Sequence, residues 1–446
     1  MRKHDAFSRR GVLKGSLAFG AGLSAPQVMV RSARGQNAKR LVFISEESSP
    51  KAQAAYERIN ADFKRDTGIS VTMEYPGFTN IAKRVATLIA AGTPADLVWY
   101  GAGTALEVAV QGQLANVDDV VEEVNAPQNL RLVVNGHNRS IPTSQQFVYA
   151  WYRSDLYEKA GLKPYTDWES YLSAVRALNK PPQQYGNLIP STALGASHLL
   201  MFTMLQKNDA HWFRFDPAKK EYEVALDQGE NLARAVETLD FLHEAHASSP
   251  EASNYNWAEL MSEYSTGKLA NSYYVGARLL EQVQTNNPEL APVTKAIALP
   301  TRKTDSYYIS VQGFHIGEKS NIDGAKNYVR FFLKHPAYID WLHSVPLHII
   351  PAKRETLRSE AYLKNETIQK RMDVLEFLES VWGKGTPPYY WDGPELNPLY
   401  GLYTNDSLGG WMLAERNIRK RGSREIVQQA AETIRKKKAD LARRRG

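Results

Sequence analysis

The chain of 446 residues contains no cysteine. That excludes disulfides, thiolate metal sites, iron–sulfur clusters and thiol nucleophiles together. Long apolar runs are missing as well. The longest mildly apolar stretch, Gly15 to Val30, is interrupted by Gly20, Gly22, Ser24 and Pro26 and is too polar to stay in a bilayer. There is no P-loop, no Gly-x-Ser-x-Gly elbow and no His-Glu-x-x-His pair. The turn Gly101-Ala102-Gly103-Thr104 follows a strand and opens a helix, but Leu106 stands where a dinucleotide fingerprint needs its third glycine. A helix start of this kind still suits a polar or anionic ligand. His243 and His246 lie three apart on one helix without an evident third ligand, so surface histidines are the plainer reading. Neither a metal nor a cofactor is expected.

The net charge of +7 is unevenly spread. Residues 36–415 carry −8, whereas the last 31 residues carry twelve cations and three acids. The body is acidic and the basicity sits at the two ends. No basic stripe with interleaved aromatics crosses the body, so a nucleic-acid partner is not expected.

The amino terminus is basic, with Arg9 and Arg10 adjacent in Ser8-Arg9-Arg10-Gly11-Val12-Leu13-Lys14. A short apolar run and small residues up to Gly35 follow. This order is that of an export leader. The arginine pair resembles the twin-arginine signal, a bacterial route for folded proteins. The expectation is a cleaved leader over residues 1–35 and a periplasmic protein.

Beyond the leader the pattern is α/β. Arg40–Ser45 is a short apolar strand. Ser49-Pro50 offers an N-cap and a first-turn proline, and Ala52, Ala55, Tyr56, Ile59 and Phe63 repeat at helical spacing up to Gly68. Ile69, Val71, Met73 and Tyr75 alternate with polar residues, which predicts a strand with one buried face. A helix over 80–91 and a strand over 95–100 complete the unit. This order predicts a parallel sheet. Further on, 146–152 reads as a strand, 167–178 and 229–245 as helices, and 295–300 and 307–317 as extended. Residues 383–411 read as a loop rich in Pro, Gly, Tyr and Trp. An amphipathic helix from about Ser423 ends the chain.

Aromatic pairs sit at strand ends and in loops: Trp99-Tyr100, Trp151-Tyr152, Tyr273-Tyr274, Tyr307-Tyr308 and Tyr389-Tyr390-Trp391. Ligands of open α/β sheets bind beyond the carboxyl ends of strands. Aromatic faces there suit the C–H face of a sugar ring, and nearby carboxylates and amides suit its hydroxyls. The candidate ligand-binding set is Glu46, Tyr100, Gly101, Tyr152, Tyr273, Tyr274 and Trp391.

Several segments together resemble the extracellular solute-binding proteins of bacterial ABC importers, the group that includes maltose-binding protein. They are Ala91-Gly92-Thr93-Pro94-Ala95-Asp96-Leu97-Val98, Gly112-Gln113-Leu114-Ala115-Asn116-Val117-Asp118-Asp119 and, most specifically, Tyr149 to Leu162 followed by Asp167-Trp168. Gly267-Lys268-Leu269-Ala270 and Gly313-Phe314-His315-Ile316 add to them. The resemblance implies a two-lobe periplasmic binding protein fold with hinge strands between the lobes. Lobe one would hold 36–143 and 311–345, and lobe two 144–310 and 346–446. It also implies that Tyr100, with Tyr273 or Tyr274 on the opposite wall, stacks on ligand. The implied function is delivery of a small solute, a sugar or oligosaccharide, to an inner-membrane ABC permease, without catalysis. The alternatives are a receptor for a polyamine or other small polar solute, and an exported glycan-active enzyme.

Overall fold

The computed structural model describes residues 39–251 and 255–445. The expected leader, 1–35, lies outside them.

The first strand, β1 (Arg40–Ser45), is followed by α1 (Pro50–Thr67), β2 (Ser70–Glu74), α2 (Ile81–Ala90), β3 (Leu97–Gly101) and α3 (Ala102–Val110). The Ser49 hydroxyl accepts from the Ala52 N–H, and Pro50 starts the first turn of α1. The predicted stripe of Ala52, Ala55, Tyr56, Ile59 and Phe63 is the buried face. Gly68, at φ +74°, ends the helix by donating to the Lys64 carbonyl. On that face Phe43 meets Tyr56 edge-on at 5.2 Å. β2 and β3 both run parallel to β1, as the strand–helix order predicts. β2 departs from expectation in its burial. All five of its residues are half-buried, because it is an edge strand paired to β1 alone.

Two long strands then cross between the lobes. β4 (Ile141–Arg153) pairs through its first half with β7 (Tyr307–Ile316), and through its second half with both β5 (Asn271–Val275) and β6 (Thr294–Ile297). The far half of β7 pairs antiparallel with β3, from Gln312 opposite Gly101 to Ile316 opposite Leu97. β4 and β7 therefore belong to both halves of the molecule. The register between them slips at Gln312/Gly313. A Cβ on Gly313 would lie 2.5 Å from the Ile141 carbonyl oxygen, so glycine lets the strands cross this closely. β8 (Ile350–Pro351) covers the other edge of β4 at Gln145 and Ser144.

Lobe two gathers its helices around β4–β6. Asp167 and Ser170 form a capping box at the helix Trp168–Ala177, whose Trp168 stacks on Phe241 at 4.1 Å. Residues 383–411, expected to be a loop, run into a helix over Leu408–Asn417. Its Gly409 and Gly410 read as breakers in the sequence. In the fold they let it press on the helix Gly195–Lys207 and the segment before it. Cβ atoms there would come within 3.0 Å of Met201 and 2.4 Å of the Thr192 carbonyl. The predicted stripe of the carboxyl-terminal helix Ser423–Arg445 is Ile426, Val427, Ala430, Ile434 and Leu441; the first four are buried and Leu441 is half-buried. Among the described residues no helix is long and apolar enough to cross a membrane.

Candidate ligand cleft

Lobe one supplies one wall from two neighbouring strand ends. The Glu46 N–H donates to the Trp99 carbonyl at 3.0 Å, extending the β1–β3 pairing by one residue. That brings the Glu46 carboxylate to the start of α3, where it accepts from the Gly101 N–H at 3.3 Å. Burial pushes Glu46 up to about 7. The Gly101 hydrogen bond opposes this, and the neighbouring Glu47 charge adds to it. Tyr100 is only 1% exposed and stands edge-on to His315 at 4.8 Å. Burial, and then the Glu46 charge, hold its hydroxyl well above the usual tyrosine range.

Glu47 reaches across the cleft. Its carboxylate accepts the Ser49 N–H at 2.9 Å and meets the Arg278 guanidinium at 2.8 Å. Arg278 opens α4 (Arg278–Asn286), which directly follows β5 in lobe two. The Glu47 side chain is 8% exposed and that of Arg278 33%, so the carboxylate is largely dry while its cation stays partly solvated.

The crossing strands make the floor. Ser144 lies opposite Gln312 and Gln146 opposite Ser310, so the four side chains share one face. Gln312 Nε2 donates to Ser310 Oγ at 2.8 Å and to Gln146 Oε1 at 3.3 Å. Gln146 Nε2 lies 3.1 Å from His348 Nε2, which acts as acceptor to the amide. Burial, reinforced by Arg278, keeps His348 well below the usual histidine range and hence neutral. His348 fits because Gly276 has no side chain. At Gly276, φ +69°, a Cβ would sit 2.3 Å from His348 Nδ1. Ser144 Oγ, Gln312 Oε1 and His348 Nδ1 are buried without hydrogen-bond partners among the described residues. The floor therefore keeps donors and acceptors in reserve. At the rim Tyr400 of lobe two faces Gly103, and its hydroxyl lies 3.5 Å from that of Tyr308.

Of the sequence-derived set, Glu46, Tyr100 and Gly101 come together on the lobe-one wall. Tyr274 lies opposite Tyr149 in β5, two residues before Gly276. Tyr273, its strand neighbour, is 5% exposed and lines a cavity of about 20 Å³ inside lobe two with Tyr165 and Tyr171. Successive strand residues face opposite ways, and this one faces the core. Tyr152 stands edge-on to Tyr157 at 5.1 Å near the end of β4. Trp391 stacks on His211 at 4.9 Å and donates to the Ala210 carbonyl. These three stand apart from the wall and floor. His243 pairs with Asn417, and the described residues hold no group of three His, Asp or Glu side chains suited to a metal.

Sequence reasoning passed over Ser144, Gln146, Arg278, Ser310, Gln312 and His348. A signal existed for Ser310 and Gln312, polar residues two apart within an otherwise apolar strand.

The geometry agrees with known proteins. A sugar transporter of Arthrobacter chlorophenolicus A6 with bound laminaribiose superposes at a TM-score of 0.72, with 17% identity over 89% of this chain and 99% of that one. A solute-binding protein of Thermotoga lettingae TMO bound to α-D-tagatose gives 0.71, with 16% identity over 89% and 99%. An Agrobacterium radiobacter K84 solute-binding protein with ribitol gives 0.69, with 15% identity over 89% and 98%. These likenesses show a shared fold, that of two-lobe periplasmic binding proteins. In sequence, a chain of Escherichia coli (strain K12) named as the ABC transporter periplasmic-binding protein YcjN is 22% identical over 233 residues. That match spans about half of each chain, 51%. Residues 47–339 match the bacterial extracellular solute-binding proteins, and the chain belongs to that family.

Proposed function

We propose that this protein is the exported receptor of an ABC importer and that it takes a sugar, an oligosaccharide or a related polyol. The observation that carries this reading is the floor of Ser144, Gln146, Ser310 and Gln312, with buried polar atoms in reserve, beside the Glu46 carboxylate and the Tyr100 ring. Ligand hydroxyls both donate and accept, as do these groups. Glu46, Tyr100 and Gly101 form the lobe-one side of the site, and β5, the strand that carries Tyr274, belongs to the opposing wall. Three of the similar structures hold tagatose, ribitol and laminaribiose, which supports the ligand class.

In this reading the protein makes and breaks no bond. Lobe one comprises 36–143 and 311–345, lobe two 144–310 and 346–446, and they open and close about β4 and β7. Residues 1–35, with Arg9 and Arg10, direct the folded chain to the periplasm by the twin-arginine route, where it meets an inner-membrane permease. Replacing both arginines by lysine should leave the precursor in the cytoplasm. Ligand at a hundredfold excess over its Kd stabilises a receptor by about 2.7 kcal/mol. A panel of sugars, oligosaccharides and polyols at millimolar concentration should include one that raises the melting temperature by several degrees. A shift with polyamines alone refutes the carbohydrate reading and leaves the receptor reading intact. Turnover of a glycan refutes both.

A further inference from the structure

The acidic body and the basic carboxyl terminus remain unexplained by solute binding. In the fold, the first half of the terminal helix α5 (Ser423–Arg445) is packed through Ile426, Val427, Ala430, Ala431 and Ile434. Its last eleven residues, a rod of about 16 Å, carry seven cations and the single acid Asp440. Arg435 pairs with Asp227, Lys437 with Asp406 and Arg443 with Asp440. Of the five cations whose side chains are described, two, Lys436 and Lys438, remain without an acid among the described residues. Lys436 is exposed, and Lys438 donates only to the Tyr222 carbonyl at 2.7 Å. Alongside runs the hairpin Phe213–Asp216/Glu221–Val224. A surface groove of about 510 Å³ separates it from α5, lined by Arg214, Arg435 and Lys438 against Glu223. Of the hairpin acids, Asp216 and Glu223 are engaged by Lys219, and Glu221 is exposed.

We propose that the exposed end of α5, with this groove, docks on an anionic phospholipid surface. Charge complementarity selects the occupant. Among the described residues the exposed large apolar side chains are Phe78, Val133, Leu194 and Ile418, and none of them lines the groove or belongs to α5, so the groove lacks the apolar centre of a protein interface. The last eleven residues of α5 carry no aromatic among their cations, which sets them apart from a nucleic-acid surface. A bilayer needs neither. It attracts clustered Lys and Arg lying within a Debye length, about 8 Å at physiological ionic strength. Asp227 and Asp406 of the body each neutralise one cation of α5, Arg435 and Lys437. Docking would hold the receptor at the membrane whatever its solute.

The test uses the chain as the cell exports it, beside a variant carrying Lys436→Gln, Arg443→Gln, Arg444→Gln and Arg445→Gln. Both are sedimented with phosphatidylcholine vesicles, with and without phosphatidylglycerol, at low and high salt. The parent should bind only the phosphatidylglycerol vesicles and should be released by high salt. The variant should bind at least tenfold more weakly at an unchanged melting temperature. Salt release is a readout that needs no variant. The proposal is overturned if the parent fails to bind, binds both vesicle types alike, or resists salt. It is also overturned if a folded variant binds as the parent does, or if the parent is retained by a soluble polyanion such as heparin but not by vesicles.

Discussion

Lobe one builds its wall of the cleft from one short stretch of chain, Ser45 to Thr104, whereas the floor and lobe two draw on residues near 144, 276, 310 and 348. The first wall is held by backbone. Glu46 continues the β1–β3 ladder, and its carboxylate rests on the Gly101 N–H. The second is held by close approaches between distant segments, such as His348 against Gly276 and Gly313 against Ile141. A wall made by adjacent strand ends tolerates small side-chain changes. A wall made by close approach is sensitive to a single added methyl.

The largest effect should come from Tyr100→Ala. A place beyond a strand end would make it a cleft platform with little part in either core, but Tyr100 lies within β3, opposite Gly313. Its 1% exposure against His315 says that it is also packed. Truncation should cost about 3–5 kcal/mol in denaturant unfolding and weaken ligand binding as well. Loss of affinity at full stability would show that the ring is a platform only.

Gly276→Ala sharpens the contrast between the walls. The new methyl meets His348 and the backbone stays at a positive φ, so a cost of about 2–3 kcal/mol is expected, with loss of ligand binding. Gly101→Ala should cost under about 0.5 kcal/mol, because its nearest neighbour would be Thr104 Oγ1 at 3.6 Å. Equal destabilisation by the two would break the comparison.

Arg278→Met leaves the Glu47 carboxylate buried without its cation. Because Arg278 is one-third exposed, a loss of about 1–2 kcal/mol is expected. The lobes should also separate, read as a larger radius of gyration in small-angle scattering. An unchanged radius would remove the ion pair from the closing contacts.

Glu46 gives a pH test. Its pKa is raised on folding from 4.5 to about 7. The folded chain therefore binds more protons than the unfolded chain between these values, and stability falls as pH rises through that window. The contribution is complete below pH 4.5 and lost above pH 7. Glu46→Gln should flatten this decline in melting temperature, and an identical profile in the variant would refute it.

The smallest effects are expected from Tyr152→Phe and Trp391→Phe. Both should leave solute affinity unchanged in calorimetric titration, since neither residue reaches the wall or floor. A tenfold loss in either would relocate the cleft.

Much of lobe one was legible because its determinants are local. Ser49-Pro50, the five-residue apolar stripe and Gly68 specify α1 through capping and periodicity alone, and Glu46, Tyr100 and Gly101 follow from strand ends. The helix Leu408–Asn417 was not legible. Gly409 and Gly410 oppose a helix by propensity and are explained only by the neighbouring helix they touch. That Tyr273 faces the core of lobe two also needed the strand's orientation.

The sequence by itself determined the α/β alternation, the acidic body with its basic terminal helix, the absence of thiol chemistry and the bounds of capped helices such as α1. These depend on residue types and on neighbours within a few positions. Tertiary structure alone decided that Ser144, Gln146, Ser310 and Gln312 share one face, that Arg278 meets Glu47 231 residues away, and that His348 fills the space left at Gly276. Strand register and interlobe contact are set by the summed packing of both lobes, and no local stretch of sequence carries that information.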